Sequence, residues 1–367
     1  MRTMFPGALV LSAVLIACAQ GTLPAPGLDL AGPDAAVPTT PTSALPPSAP
    51  VVPGALESAE KPVLPAEAGR PGEQAVPAAA TGAGAAQAPR PASTGTAGTR
   101  PASASVVTSP PAIKRPPTGK VPWDWQIGAS SDRAVTVAPG VRLLSLDGFT
   151  VSAAKVAALK EQGIYTVCYI NAGSYEPWRP DAPRYPDSLK IQRDADWPDE
   201  AFLDITDVFQ PNSVLAGILI DRLKMCRSKG FDALEPDNLQ NDENVTGGRI
   251  TTQQQIDFNG WIADRAHEQG LAVFQKNGPD KILLRDRTGK MMVEKFDGIL
   301  NEQCQEYSEC AALAEYTRRG KLALNVEYRR RVALNCPLMT GHGINALKKD
   351  LGLVGGTMRG YLRETCA

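Results

Sequence analysis

Near the middle of its folded half the chain reads Gly230-Phe231-Asp232-Ala233-Leu234-Glu235-Pro236-Asp237-Asn238. A glycine closes the helical pattern of Ser213–Ser228, a short apolar run follows, and the run ends in two acids and an amide. Glycine just past a helix is a stop signal, and a short apolar run bounded in this way reads as a buried strand. The same order recurs on both sides. Val151–Gln162 ends at Gly163, Thr252–Gln269 at Gly270 and Glu309–Arg319 at Gly320. Strands are expected at Trp123–Gly128, Arg142–Gly148, Tyr165–Ala172, Phe231–Pro236, Leu271–Lys276, Gly298–Asn301, Leu322–Val326 and Val354–Arg359. Eight strands alternating with helices predict an α/β fold closed as a (β/α)8 TIM-like barrel. A doubly wound open sheet is the alternative, but no glycine-rich phosphate loop follows the first strand.

Outward from this region the texture changes. Residues 119–367 are close to the ~250 residues typical of one such barrel, whereas residues 19–118 are mostly Ala, Pro, Gly, Ser and Thr. So few large apolar side chains cannot offset the entropy of ordering, so this stretch reads as a disordered tether. Residues 1–18 read as an address: Arg2 is a positive start, Ala8 to Ile16 is an apolar core too short to span a bilayer, and Leu15-Ile16-Ala17-Cys18 resembles a lipobox. The expectation is an exported, monomeric lipoprotein held to a membrane through Cys18, on the outer membrane or cell surface. With 38 basic and 39 acidic residues the net charge is -1, which gives no long-range pull toward nucleic acid.

In α/β barrels the chemistry sits where the strands end at their C-terminal side, and here those ends are polar. Leu146 runs into Asp147, Ile170 into Asn171 and then Tyr175-Glu176, Leu234 into Glu235-Pro236-Asp237-Asn238, Phe274 into Gln275-Lys276-Asn277, Leu300 into Asn301-Glu302, and Leu324 into Asn325-Val326-Glu327-Tyr328. Glu235 and Asp237 are two apart and share a face if the strand persists. The candidate binding residues are Asp147, Tyr169, Glu176, Trp178, Arg179, Glu235, Asn238, Lys276, Asn277, Glu327 and Tyr328. Asp147 is a sugar ligand or a buried structural acid. Lys276 neutralises the carboxylates or binds a sugar hydroxyl, and Arg179 pairs with a neighbouring acid or touches sugar. Trp123, Trp125 and Tyr175 join Tyr169, Trp178 and Tyr328 as aromatics near this face, either core or stacking platforms.

Several carboxylates, two histidines (His267 and His342) and no metal-ligand spacing suit glycoside hydrolysis. That reaction needs one carboxylic acid for the leaving oxygen and a second carboxylate as nucleophile or base. No cofactor and no metal are expected. Beyond Cys18 six cysteines remain, an even number consistent with an oxidising compartment. Cys304 and Cys310 can close a small loop, Cys336 and Cys366 can tie down the C-terminal end, and Cys168 and Cys226 pair or stay as buried thiols.

Together the segments Trp123–Gly128, Val167–Glu176 with Trp178-Arg179-Pro180-Asp181, Gly230–Asn238, Lys276-Asn277, Phe296-Asp297 with Asn301-Glu302-Gln303-Cys304, and Val326-Glu327-Tyr328 resemble glycoside hydrolase family 114, the endo-α-1,4-polygalactosaminidases. The resemblance spans about Trp123 to Tyr328. It implies a TIM-like barrel, endo-cleavage of α-1,4-linked galactosamine polymers, and functional acids at Asp237 and Glu302, with Asp237 as nucleophile and Glu302 as general acid/base. The loop from Asp280 to Lys295 is longer than the family pattern, and Asn171 stands where another residue is expected. A cationic galactosamine polymer suits a groove carrying Asp147, Glu176, Asp181, Glu235 and Glu327. A non-catalytic polysaccharide-binding barrel and a hydrolase of another α-linked polysaccharide are the competing functions.

Overall fold

The structure, a computed structural model, describes residues 112–328 and 332–366. The expected lipidation site at Cys18, the leader and the tether up to residue 111 lie outside the described residues. Twelve strands are described: β1 Trp123–Trp125, β2 Leu143–Asp147, β3 Tyr165–Asn171, β4 Ser174–Tyr175, β5 Lys190–Arg193, β6 Ala201–Leu203, β7 Ala233–Asp237, β8 Ala272–Lys276, β9 Gly298–Glu302, β10 Leu322–Glu327, β11 Asn345–Lys349 and β12 Arg363–Thr365. Strands β1, β2, β3, β7, β8, β9, β10 and β11 pair in that order, every pair parallel. They form the TIM-like barrel that the alternation predicts.

The main helices between them are α1 Ala153–Glu161, α2 Val214–Ser228, α4 Thr252–Glu268 and α6 Cys310–Thr317, with three short helices, α3 Asn241–Asn244, α5 Met292–Lys295 and α7 Cys336–Gly341. The four glycines read as helix stops, Gly163, Gly230, Gly270 and Gly320, all have positive φ. Ser152, Ser213 and Thr251 cap the starts of α1, α2 and α4 with their hydroxyl oxygens.

Alternation along each strand divides the core. Trp123, Trp125, Leu143, Val167, Phe274, Leu300, Leu324 and Leu347 fill the barrel interior. Leu144, Leu146, Ile170, Leu234, Val273 and Ile299 pack outward against Leu219, Leu223, Phe258 and Leu313 of the helices. Three disulfides close, Cys168–Cys226, Cys304–Cys310 and Cys336–Cys366. The first ties β3 to α2, which settles the alternative of two buried thiols.

The eighth strand is not where the sequence pattern placed it. Val354–Arg359 is a loop, and β11 at Asn345–Lys349 takes the barrel position. Two lysines hid this strand. Lys349 is buried because its ammonium lies 3.3 Å from Asp124 and 3.6 Å from Asp350, and Leu347, just before the two lysines, faces the core. Strand β12 then runs antiparallel to β11. Arg363 donates to the Trp123 carbonyl at 3.1 and 3.0 Å, and the Trp123 indole donates to the Asn345 carbonyl at 2.9 Å. The last strands thereby meet the first.

Two further features lie beyond the pattern. Strands β4, β6 and β5 form a small antiparallel sheet inserted between β3 and α2. Residues 112–118, read as the end of the tether, lie against the barrel. Lys114 pairs with Asp232 at 3.2 Å, its carbonyl accepts from the Tyr165 hydroxyl at 2.8 Å, and Arg115 pairs with Asp297. Asp232 and Asp297 shortly precede β7 and β9, so this docking is on the N-terminal face, opposite the strand ends that carry the candidate chemistry. Among the described residues no helix is long and apolar enough to cross a membrane.

Candidate active site

Asp237, Lys276 and Glu302 are the final residues of three adjacent strands, β7, β8 and β9. In each case the next residue turns the chain away with positive φ: Asn238 at 58°, Asn277 at 53° and Gln303 at 59°. Left-handed backbone is uncommon outside glycine, although Asn tolerates it well. Three such turns in a row leave the three side chains at the mouth without a continuing strand to cover them. Gly173 lets the loop after β3 approach: a Cβ there would stand 1.9 Å from the Asn238 carbonyl oxygen.

The Lys276 ammonium lies 2.9 Å from Asp237 Oδ1 and 3.1 Å from Glu302 Oε2. These two distances cap the separation of the facing carboxylate oxygens at their sum, about 6 Å. Side-chain exposure is 22% for Asp237 and 24% for Glu302 but 2% for Lys276. The two acids are therefore open to the mouth, and the lysine lies beneath them with its ammonium against both. Its Nζ also sits 4.9 Å from the centre of the Trp125 ring, a cation–π contact in the barrel interior.

Each acid has its own donors. Asp237 accepts from the Tyr169 hydroxyl and from the Asn238 amide, both at 2.8 Å. Burial raises its proton affinity, but Lys276 and these hydrogen bonds outweigh burial and hold the carboxyl below its usual range. Glu302 accepts from the Tyr328 hydroxyl and from Asn277 Nδ2 at 2.9 Å, while its own amide donates to Asn277 Oδ1 at 2.8 Å. Asn277 thus grips Glu302 through both its amide atoms. Burial and the neighbouring acids push both tyrosines well above their ordinary pKa, which keeps them donors.

The remaining candidates divide. Glu235 does share the face of Asp237, one layer lower, 3.8 Å from Lys276 Nζ, and it is wholly buried. It cannot contact a sugar. Arg179 clamps Glu176 through two hydrogen bonds at 2.8 and 2.7 Å and reaches Asp147 at 2.7 Å. Arg222, which the sequence reading missed, holds Asp181 in the same way at 2.8 and 2.9 Å. Burial raises the Glu176 carboxyl against the pull of Arg179.

Glu327 faces away from the mouth, accepting from the Gln305 amide at 2.9 Å and from Asn325 Nδ2 at 2.8 Å. One residue on, strand parity turns Tyr328 inward to Glu302. The five acids expected to attract a cationic substrate are therefore mostly committed elsewhere, because a carboxylate buried in a barrel mouth needs its own partner. Trp178 is 55% exposed and remains free for stacking.

The inserted sheet brings one more acid to this side. Glu200 accepts from Ser174 Oγ and from Asn171 Nδ2 at 3.2 Å, and Asn171 in turn accepts from Asn238 at 3.1 Å. Burial lifts the Glu200 carboxyl to about 7, helped by Glu176 and Asp237 nearby. No local pattern marks Glu200, because its place depends on the pairing of β6 with β4. Away from the mouth, His267 binds Asp297 at 2.9 Å. Among the described residues no group of three or more His, Cys, Asp or Glu side chains is arranged to hold a metal ion.

Acid pairs at the strand ends of a parallel barrel are the arrangement found in TIM-barrel glycoside hydrolases. The profile of glycoside-hydrolase family GH114 matches residues 102–367, and the chain belongs to that family. Among solved structures, Ega3 of Aspergillus fumigatus in complex with galactosamine is 25% identical, with a TM-score of 0.59 over 69% of this chain and 98% of that one. The glycoside hydrolase domain of PelA from Pseudomonas aeruginosa is 15% identical, with a TM-score of 0.48 over 68% of this chain and 99% of that one. No curated protein sequence matches.

Proposed function

We propose that this glycoside hydrolase cleaves α-1,4-linked galactosamine polymers internally, with Asp237 as nucleophile and Glu302 as general acid/base. The observation that carries the reading is the shared ammonium: Asp237 and Glu302, on the strands either side of β8, lie 2.9 and 3.1 Å from Lys276 Nζ. Retaining enzymes hold their carboxyl groups roughly 5–5.5 Å apart and inverting ones roughly 6.5–9.5 Å. A separation capped near 6 Å favours the retaining arrangement, in which Asp237 forms a glycosyl-enzyme bond that water then breaks. The three hydrogen bonds that keep Asp237 ionised suit a nucleophile. The likeness to Ega3, solved with galactosamine, supports an amino-sugar substrate. Export and anchoring through Cys18 belong to the same proposal and rest on the lipobox-like sequence alone.

The test is hydrolysis of galactosaminogalactan, chitosan and neutral α-glucans, with product sizes followed over time. Wild type is expected to shorten the galactosamine polymer through intermediate lengths, and Asp237→Asn and Glu302→Gln are each expected to lose at least about 10³-fold in kcat. Azide is expected to rescue one of the two variants and to report its role. Undiminished turnover in either variant, or activity confined to neutral glucans, overturns the reading. A Cys18→Ser variant recovered still in the membrane fraction overturns the anchoring.

A further inference from the structure

We propose that Glu235, a side chain no sugar can reach, positions the Lys276 ammonium from beneath and so governs how firmly that ammonium holds Asp237 and Glu302 together. The inference rests on reading Asp237 and Glu302 as the hydrolytic pair and adds a third acid with a different task.

Glu235 occupies β7 two residues before Asp237, so both side chains enter the barrel on the same face. In register it lies beside Tyr169 of β3. Its Oε2 accepts from Ser145 Oγ on β2. Its Oε1 has no hydrogen-bond partner among the described residues and faces Lys276 Nζ at 3.8 Å. The ammonium thus stands within hydrogen-bond distance of the two upper acids and just beyond it from the lower one. A buried carboxyl oxygen left without a hydrogen bond is costly, and the cost is smaller when the group is neutral or the cation moves to it.

The charged and titratable groups facing Glu235 are Lys276 on β8, Asp237 on β7, Glu302 on β9, and the phenols of Tyr169 and Tyr328. Only one of these is a cation. Ionising Glu235 would add a further negative charge beside Asp237 with a single ammonium to compensate, in a dry interior, which costs more than one ion pair returns. Burial accordingly pushes its carboxyl up to about 8, against the opposing pull of Lys276 and Ser145.

While Glu235 is neutral, the ammonium is left to Asp237 and Glu302. Once it ionises, the unpaired Oε1 competes for Nζ and draws it downward. The upper pair then loses its common partner. A methyl or methylene group in place of this carboxyl would pack as well, but it would not titrate.

Two variants and two readouts test this. Glu235→Gln keeps the shape and the Ser145 contact but cannot ionise, and Glu235→Ala removes the support under Lys276. The pH dependence of kcat and KM on the galactosamine polymer is measured for wild type and both variants. The ¹⁵N NMR resonance of the Lys276 ammonium is followed over the same range. Glu235→Ala is expected to lose at least about 10-fold in kcat relative to Glu235→Gln, with KM alike in the two. The alkaline limb of kcat is expected to move to higher pH in Glu235→Gln, and the Lys276 resonance to shift with a midpoint near 8 in wild type only.

An alkaline limb at the same pH in wild type and Glu235→Gln overturns the proposal, as does a loss that lies in KM. If wild type turns over no polymer, the hydrolase reading fails by itself. The Lys276 resonance still decides the positioning, since a pH response identical in wild type and Glu235→Gln refutes it.

Discussion

Lys276 stands 2.9 Å from Asp237, and that contact joins two strand ends that have no sequence relationship to each other. The same ammonium reaches Glu302 on the far side, so one buried cation sets the spacing of the cleft. Two carboxyl groups this close repel when both ionise, and a lysine between them removes that repulsion without a metal ligand set. The first consequence concerns Lys276→Met. It is expected to lower kcat by about 10²-fold or more with a smaller effect on KM. Because Lys276 helps hold the Asp237 carboxyl low, its loss moves the acid limb of the pH profile to higher pH. Steady-state kinetics across pH check both statements.

The phenols of Tyr169 and Tyr328 each give one hydrogen bond to one acid, Asp237 and Glu302 respectively. A hydrogen bond to a charged group is worth roughly 1.5–3 kcal/mol, about 10- to 100-fold in rate if it is made fully only in the transition state. Tyr169→Phe and Tyr328→Phe are each expected to fall in that range. The double variant is expected to lose less than the product of the two, because both acids share Lys276. Multiplicative losses in a double-mutant cycle would show that the two sides of the cleft act independently.

Glu235 also makes a stability prediction, and its sign follows from its raised carboxyl. A raised acid stabilises the fold fully below its unfolded value of about 4.3, and that contribution is lost as pH rises through the folded value. For Glu235 the folded value is about 8. Wild type is therefore expected to lose stability relative to Glu235→Gln between these limits, by an amount on the order of a few kcal/mol. Thermal unfolding at several pH values measures the gap, and a gap that stays constant between acidic and alkaline conditions contradicts it.

The docking of Lys114 and Arg115 predicts that residues 112–118 stabilise the barrel. Asp232 and Asp297 are almost fully buried and take these cations as partners. Asp232 retains Lys160 at 2.8 Å and Asp297 retains His267, so losing the segment weakens the pairs rather than orphaning them. A chain starting at residue 119 is expected to be less stable than one starting at residue 112 by about 1–3 kcal/mol. Equal melting temperatures for the two would show that the segment is dispensable.

The disulfide Cys304–Cys310 closes the loop that leaves Glu302. Inside that loop the Cys304 amide donates to Asn325 at 3.2 Å and the Gln305 amide to Glu327 at 2.9 Å, so the outward acid Glu327 serves to pin it. Replacing both cysteines by serine is expected to cost about 2–3 kcal/mol, as a short closed loop predicts, and to lower kcat more than KM. Unchanged kcat in the folded double variant would show that Asn277, Tyr328 and Lys276 hold Glu302 without the disulfide.

Much of the architecture is legible from local signals. Seven of the eight barrel strands lie within a few residues of their apolar runs, and the four glycine stops are local chemistry that needs no tertiary context. The eighth strand was lost because Lys348 and Lys349 look solvated when read alone. Burial of Lys349 depends on Asp124, more than two hundred residues away in sequence. The inserted sheet of β4, β5 and β6 was lost because strands of two to four residues carry no measurable alternation.

The chain by itself determined that a parallel barrel forms, that its strand ends are acidic, and that Asp237 and Glu302 stand at two of those ends. Alternation and helix stops are short-range consequences of backbone geometry, so residue order is enough to reveal them. Which acids remain available was decided only in three dimensions. Arg179 and Arg222 neutralise Asp147, Glu176 and Asp181, strand parity turns Glu327 outward, and Glu235 sinks below Lys276. A carboxyl group's partner is set by distance in space, and in a barrel that distance is fixed by register and shear rather than by separation along the chain.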